Sequence, residues 1–231
     1  MRPAKILVVD DEPHLLKLVR SNLEAAHYKV IVAMDGASAL AMLEKEGADL
    51  VLLDVMMPGM DGFEVLQKIR EFSVVPVVIL TAKDQDVDEL RGFGLGADDY
   101  IRKPFSVQLL LVRIQAVLRR GAPSEEVMTR PPFVAGDFMM DFTQRRVTVR
   151  GKEVKLGPTE WKLLTQLVTN AGRVMLHADL LRKVWGPEYG GETEYLRVYI
   201  SYLRNKIEED APHPKYILTE HGVGYSFRRS E

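Results

Sequence analysis

Short apolar runs and amphipathic stretches alternate along the first half of the chain. "KILVV" (5–9) precedes a helical pattern from Leu15 to Leu23, and "VIVA" (30–33) precedes another from Ala37 to Leu43. "LVLLD" (50–54) leads to Phe63–Ile69, "VVIL" (77–80) to Val87–Leu95, and "YI" (100–101) to Val107–Leu118. The runs are too uniformly apolar to be half-exposed strands, so each must be covered on both faces. Five strands each followed by a helix predict an α/β fold, a doubly wound (βα)5 parallel sheet.

The period changes further on. "FVAGDFMMDFTQRRVTVRGKEVKL" reads as short alternating strands with turns at Gly136-Asp137 and Gly151-Lys152. A helix follows, with a cap signature at Thr159, with Trp161, Leu164, Leu167 and Val168 on one face and with Gly172 just past its end. "HADLLRKVW" is a second helix, and "TEYLRVYISYLRNKIEED" a third, with Leu196, Ile200, Leu203 and Ile207 on a buried stripe. The last segment, "KYILTEHGVGYSFRR", predicts a hairpin turning between Glu220 and Gly224. Helix, helix, long helix, hairpin is the plan of a winged helix-turn-helix domain, of α+β class.

Between the halves, "VLRRGAPSEEVMTRPPF" carries Gly121, Pro123, Pro131 and Pro132 among polar residues, with no apolar period across it. The expected division is residues 1–120, a linker at 121–131, and 132–231. A chain of 231 residues, 46% hydrophobic and 28% charged, accommodates two such cores. Cysteine is absent, and His14, His27, His177, His213 and His221 show no ligand spacing, so disulfides and zinc sites drop out. No leader or membrane-length apolar run appears, and the expected location is cytoplasmic, with no membrane partner. Residues 1–120 hold fifteen Lys and Arg against eighteen Asp and Glu, and residues 121–231 sixteen against fifteen. That imbalance is too small for bulk charge to argue for nucleic acid.

Ligands of doubly wound sheets bind beyond the carboxyl ends of the strands. There the sequence places Asp10-Asp11-Glu12, Asp54, Thr81 and Lys103-Pro104. Converging carboxylates repel unless a cation sits among them, and an all-oxygen set suits Mg²⁺. The hydroxyl and the ammonium opposite are what a tetrahedral anion on one carboxylate needs. Asp54, at the end of a buried strand and followed at once by the Pro58-Gly59 turn, is placed as a nucleophile at the sheet edge. A phosphatase with an aspartyl nucleophile is the rival, but it wants a second acid two residues on, where this chain has Met56.

"VVDDEP", "LLDVMMPGMDG", "VVILTA" and "DDYIRKPF", in this order and at these intervals, resemble the receiver domain of two-component response regulators. The resemblance implies that Asp54 accepts a phosphoryl group from a sensor histidine kinase, and that the chain is not itself an enzyme. It also implies that Asp10, Asp11, Asp54 and the backbone carbonyl of Met56 arrange Mg²⁺, that Thr81 and Lys103 bind phosphoryl oxygens, and that Tyr100 turns inward as Thr81 moves.

On the third helix of the second half, Arg197, Ser201 and Arg204 repeat opposite the apolar stripe, with Asn205 and Lys206 close by. Glu194, Glu208 and Glu209 lie at its ends, leaving its middle turns basic. Such a helix reads guanine through bidentate arginine while its neighbours hold phosphates. Arg228 and Arg229, after the hairpin, fit either a minor-groove contact or phosphate bracing, and the sequence does not choose. The second half resembles the output domain of the OmpR/PhoB family, and its last two motifs are most similar to regulators of Kdp potassium-transport operons. The family resemblance implies binding to double-stranded promoter DNA, a homodimer formed on phosphorylation, and RNA polymerase as a candidate partner. For the dimer it points to Arg91, Asp98, Asp99, Arg113 and Arg120, pairing Asp98 with Arg120 and Asp99 with Arg113 across subunits. Leu109 stands where the family carries an acid facing Arg91, so one usual pair is missing. An output domain that mainly contacts protein is the alternative reading.

Overall fold

The computed structural model describes residues 2–82, 95–120, 129–187, 189 and 193–229. Two units divide between Arg119 and Arg120, and each is taken by itself.

In the first unit β1 (Lys5–Val9), β2 (Lys29–Ala33), β3 (Leu50–Asp54), β4 (Val77–Ala82) and β5 (Asp99–Lys103) form one sheet in the order β2-β1-β3-β4-β5. Every neighbouring pair is parallel. The central strand β3 is buried at all of its positions, as a strand covered on both faces requires. Four helices are described: α1 (Pro13–Ala25), α2 (Gly36–Glu46), α3 (Gly62–Phe72) and α4 (Val107–Arg120). Leu16, Val19 and Leu23 of α1 and Leu110, Ile114 and Val117 of α4 share one core with Ile6, Val8, Leu50, Leu52, Val78 and Leu80. The alternate strand residues point to the other face, where α2 and α3 pack together. Asp35 caps α2 by accepting from the Ser38 N–H at 2.8 Å. Asp61 and Glu64 form a reciprocal capping box on α3. The stretch read as a helix from Val87 lies outside the described residues except for Leu95.

The second unit begins with an antiparallel sheet of β6 (Phe133–Ala135), β7 (Phe138–Asp141), β8 (Arg146–Val149) and β9 (Lys152–Val154). Helices α5 (Pro158–Thr169), α6 (His177–Val184) and α7 (Thr193–Ile207) follow, with β11 (Ile217–Glu220) and β12 (Gly224–Phe227) as the closing hairpin. The sequence reading missed β10 (Val174–Leu176), which pairs with β12 to make a three-stranded sheet. At three residues, with only Met175 buried, β10 is too short to show a period. Leu196, Ile200, Leu203 and Ile207 of α7 are all buried, as their spacing predicts. Phe133, Phe138, Tyr216 and Phe227 form an aromatic cluster, with Phe138 and Phe227 centred 5.0 Å apart. No helix of the described residues is long and apolar enough to cross a membrane.

Candidate functional site

The register of the first sheet brings the chemistry to one edge. Val9 pairs with Leu53, which sets Asp10 level with Asp54. Leu80 pairs with Asp54, so Thr81 stands one residue beyond it. Lys103 pairs with Ala82 at the end of the neighbouring strand. One carboxylate oxygen each from Asp10, Asp11 and Asp54 lie within 4.8 Å of one another. Asp10 and Asp54 are 1% and 3% exposed, and Asp11 is half-buried. The Lys103 ammonium bridges the two buried acids, 2.8 Å from Asp10 Oδ2 and 2.8 Å from Asp54 Oδ1. Asp10 uses its other oxygen to accept from the Glu12 N–H at 2.9 Å. The Lys103–Pro104 peptide bond is cis. Thr81 and Tyr100 are both buried, and Met56 lies in the turn two residues past Asp54, its side chain exposed.

The loop after β3 is as constrained as the sheet. Gly59 has φ +83°, a left-handed turn that glycine adopts without strain. Gly62 answers a different need. A Cβ placed there would lie 2.2 Å from the Asp54 carbonyl oxygen and 2.8 Å from the Val55 Cα, so the start of α3 crosses directly over the backbone at the end of β3 only because no side chain intervenes. Sequence reading took the turn from Pro58-Gly59 and assigned Gly62 nothing.

Burial pushes the Asp54 carboxyl above the usual aspartate range; the Lys103 ammonium opposes this, and the charges of Asp10 and Asp11 add to it. For Lys103, burial works against the charged form, but the hydrogen bonds and charges of Asp10 and Asp54 outweigh it and hold the ammonium above the ordinary lysine value. A raised carboxyl pKa contributes stability that is complete below the unfolded-state value and lost as pH climbs through the folded one. Asp54→Asn is therefore expected to stabilise the metal-free first unit at neutral pH, the gain vanishing as pH falls through the ordinary aspartate range. Urea midpoints across pH without divalent ions read this directly, and a neutral-pH midpoint at or below the parent's would contradict it.

Two expected surface charges prove to be internal. The Asp98 carboxylate is buried, accepts from the Val77 N–H at 3.0 Å and pairs with Arg70 at 3.2 Å. Asp99 is fully buried and lies 3.4 Å from Arg113 of its own chain. Both acids sit where the chain enters a covered strand, and each buried charge is paired within the chain, Asp98 with Arg70 and Asp99 with Arg113, where the sequence suggested partners across subunits. Arg91 and the side chain of Arg120 lie outside what the structure describes. Leu109 is 40% and Val112 48% exposed, one turn apart on α4. Arg70, which the sequence did not single out, also donates to the carbonyls of Gly96 and Val75 at 2.7 and 2.8 Å, tying the end of α3 to the segments that lead into β4 and β5.

On α7 the exposed residues are Glu194, Arg197, Ser201, Asn205 and Lys206. Arg197 hydrogen-bonds Glu194 at 2.6 Å, both side chains remaining mostly exposed. Arg204, expected on the open face, turns inward: Nη2 donates to Ile217 O and Thr219 Oγ1, each at 2.7 Å, and Nε to Ile217 O at 3.1 Å. The guanidinium thereby satisfies a carbonyl of β11 and braces helix against hairpin. Lys206 is likewise engaged, its ammonium 2.6 Å from Glu160 Oε2, the carboxylate that also caps α5 at Gly157. The open stripe is accordingly Arg197, Ser201 and Asn205, at i, i+4 and i+8. Arg228 is exposed but follows β12, at the end of the hairpin away from its turn; the turn itself carries His221, Gly222 and Val223. Glu208, read from sequence as a charge at the helix end, is 5% exposed and accepts from three backbone N–H groups, those of Lys215, Tyr216 and Ile217, at 2.8 to 2.9 Å.

Comparison with known proteins agrees with both halves. Residues 6–115 match the family described as "Response regulator receiver domain", and residues 151–227 match "Transcriptional regulatory protein, C terminal". The chain is 41% identical over 222 residues to the transcriptional regulatory protein KdpE of Mycobacterium tuberculosis, covering 96% of this chain and 98% of that one. It is 42% identical over 221 residues to the sensory transduction protein RegX3 of Mycolicibacterium smegmatis, covering 95% and 97%. Among solved structures, the response regulator DrrB of Thermotoga maritima, an OmpR/PhoB homologue, is 34% identical with a TM-score of 0.52 over 98% of this chain and 99% of that one. A RitR mutant is 27% identical with a TM-score of 0.79 over 98% and 100%. With a five-stranded parallel receiver sheet, a winged output domain and relatives matched along nearly their whole length, the chain belongs to the OmpR/PhoB family of two-component response regulators, DNA-binding regulators of transcription.

Proposed function

We propose that Asp54 is the phosphoacceptor of this regulator and that its phosphorylation by a sensor histidine kinase controls the binding of the output domain to promoter DNA. The observation that carries this reading is the buried acid cluster at the sheet edge, bridged by an ammonium 2.8 Å from both Asp10 and Asp54. In the transfer, an Asp54 carboxylate oxygen attacks phosphorus as the P–N bond of the kinase's phosphohistidine breaks and its electron pair returns to the ring nitrogen. The product is an acyl phosphate. Asp10, Asp11, Asp54 and the Met56 carbonyl fit Mg²⁺, an all-oxygen set whose crowded charge calls for a cation. When bound, Mg²⁺ neutralises the phosphoryl oxygens. Lys103 and the Thr81 hydroxyl take the remaining phosphoryl charge, and Tyr100 follows Thr81 in the switch. The chain acts as its kinase's substrate rather than as an enzyme in its own right.

Dimerisation engages the exposed face of α4 around Leu109, and Arg91 and Arg120 remain candidate partners in it. For Asp98 and Asp99 to pair across subunits, each must first exchange its present partner, Arg70 or Arg113, for a counter-ion from the second copy. Base readout falls to Arg197, Ser201 and Asn205, with Arg204 and Lys206 holding the helix in place. The similarity to KdpE and the motifs of α7 and the hairpin support a potassium-transport operon as the target, while RegX3 is equally similar in sequence. The divisions at 120 and 131, a cytoplasmic location and contact with RNA polymerase complete the proposed picture.

Selecting genomic DNA fragments with the full chain, with and without an acyl-phosphate donor and Mg²⁺, tests the proposal. Donor-dependent enrichment of paired half-sites, lost in Asp54→Ala, is the expected result. Arg197→Ala is expected to cost about 1–3 kcal/mol of discrimination at one base position, whereas Arg204→Ala should act through stability. Enrichment indifferent to donor and to Asp54 would remove phosphorylation as the control; no enrichment at all would favour an output domain that contacts protein.

A further inference from the structure

The β8–β9 hairpin is strongly cationic for its size. Between Arg145 and Lys155 it holds Arg145, Arg146, Arg150, Lys152 and Lys155 against the single acid Glu153. Arg150, Lys152 and Lys155 are exposed, and among the described residues none of the three is held in an ion pair. They line a groove of about 470 Å³ with Val149, Glu153, Val154 and Lys206. The groove is continuous with α7, because the Lys206 ammonium lies 3.2 Å from the Lys155 carbonyl oxygen.

We infer that this groove is a second DNA contact, one that takes the phosphate backbone without reading sequence; the inference rests on the output domain's binding duplex through α7. From Arg197 to Asn205 the helix rises about 12 Å, roughly the width of the major groove. Whatever lies beyond Asn205 therefore meets the phosphate wall rather than base edges. Lys206 and the rim of Lys155, Lys152 and Arg150 stand there, and the three rim cations, exposed on the hairpin and outside any ion pair among the described residues, are what phosphate oxygens require. A protective role competes with this reading, since β9 is an edge strand and lysines there also deter edge-to-edge pairing. Salt dependence separates the two, because each neutralised phosphate releases counterions and edge protection does not.

The experiment compares the full chain with the variant Arg150→Ala/Lys152→Ala/Lys155→Ala; Lys206 is left intact because it is engaged with Glu160. Binding to a mixed-sequence duplex and to a duplex selected from genomic fragments is measured over a series of salt concentrations. The slope of log affinity against log salt is expected to shrink by about 2–3 in magnitude, with affinity for both duplexes falling by the same factor and their ratio unchanged. Arg197→Ala should do the reverse, lowering the ratio and leaving most of the slope. A triple-variant slope equal to the parent's overturns the inference, as does an unchanged slope accompanied by new self-association in light scattering, which assigns the rim to edge protection. If the parent itself binds neither duplex, the α7 reading fails first and the groove with it.

Discussion

Gly62→Ala is expected to slow phosphoryl uptake at Asp54 about a hundredfold, although residue 62 carries no reacting group. The added methyl would sit 2.2 Å from the Asp54 carbonyl oxygen, and that oxygen cannot withdraw because the neighbouring Val55 N–H is bonded to Leu80 O at 3.1 Å and Gly62 N–H to Val55 O at 3.0 Å. Strand end and helix start must part by about 1 Å, a displacement that costs on the order of a hundredfold in a positioned reaction. Overpacking of this kind also costs about 1–3 kcal/mol of stability. Alanine is otherwise the better helix former by about 1 kcal/mol, and the glycine has no left-handed φ to protect, so any loss reports the contact alone. Uptake from a small acyl phosphate in the presence of Mg²⁺ gives the rate, and a variant that labels as fast as the parent would show that the loop moves aside freely.

The largest effect on folding is expected at Glu208. Its carboxylate is the common acceptor for the N–H groups of Lys215, Tyr216 and Ile217, and Glu208→Ala leaves all three without it, the last of them at the buried start of β11. Hydrogen bonds to a charged group contribute about 1.5–3 kcal/mol each, and orphaned buried donors cost about 1–3 kcal/mol. Since the three share one carboxylate the losses do not add, and about 3–5 kcal/mol is expected for the second unit. Glu208→Gln should cost less: it keeps one oxygen but turns an amide N–H toward a backbone donor. Urea unfolding followed by tryptophan fluorescence suits the test, because Trp161 and Trp185, the chain's two tryptophans, both lie in this unit. A midpoint shift of less than about 1 kcal/mol would mean that water replaces the carboxylate there.

What the chain revealed by its order of residues was whatever depends on a period or on a motif. Five apolar runs disclosed the parallel sheet, and four of them, leading to Asp10, Asp54, Thr81 and Lys103, pointed to the edge where those side chains gather, because strand ends and ligand edges coincide in such folds. The hidden part depended on which way a polar side chain turns. Arg197 and Arg204 share a helical face by count, yet one reaches solvent and the other satisfies a carbonyl of β11. Asp98 and Asp99 look like a surface pair, and burial at the mouth of β5 claims both. Gly62 and Glu208 carry no local signal, because each answers to a backbone segment that only folding brings near: Asp54 for the glycine, 215–217 for the glutamate.

The Arg204 brace makes a ruler of the second unit. Because one guanidinium grips both the carbonyl of Ile217 and the hydroxyl of Thr219, the helix and the hairpin cannot slide relative to each other without breaking three hydrogen bonds at once. If α7 and the hairpin both meet a duplex, the interval between their contacts is then a fixed length, and a recognition sequence with one base pair inserted in that interval is expected to satisfy one contact or the other, never both.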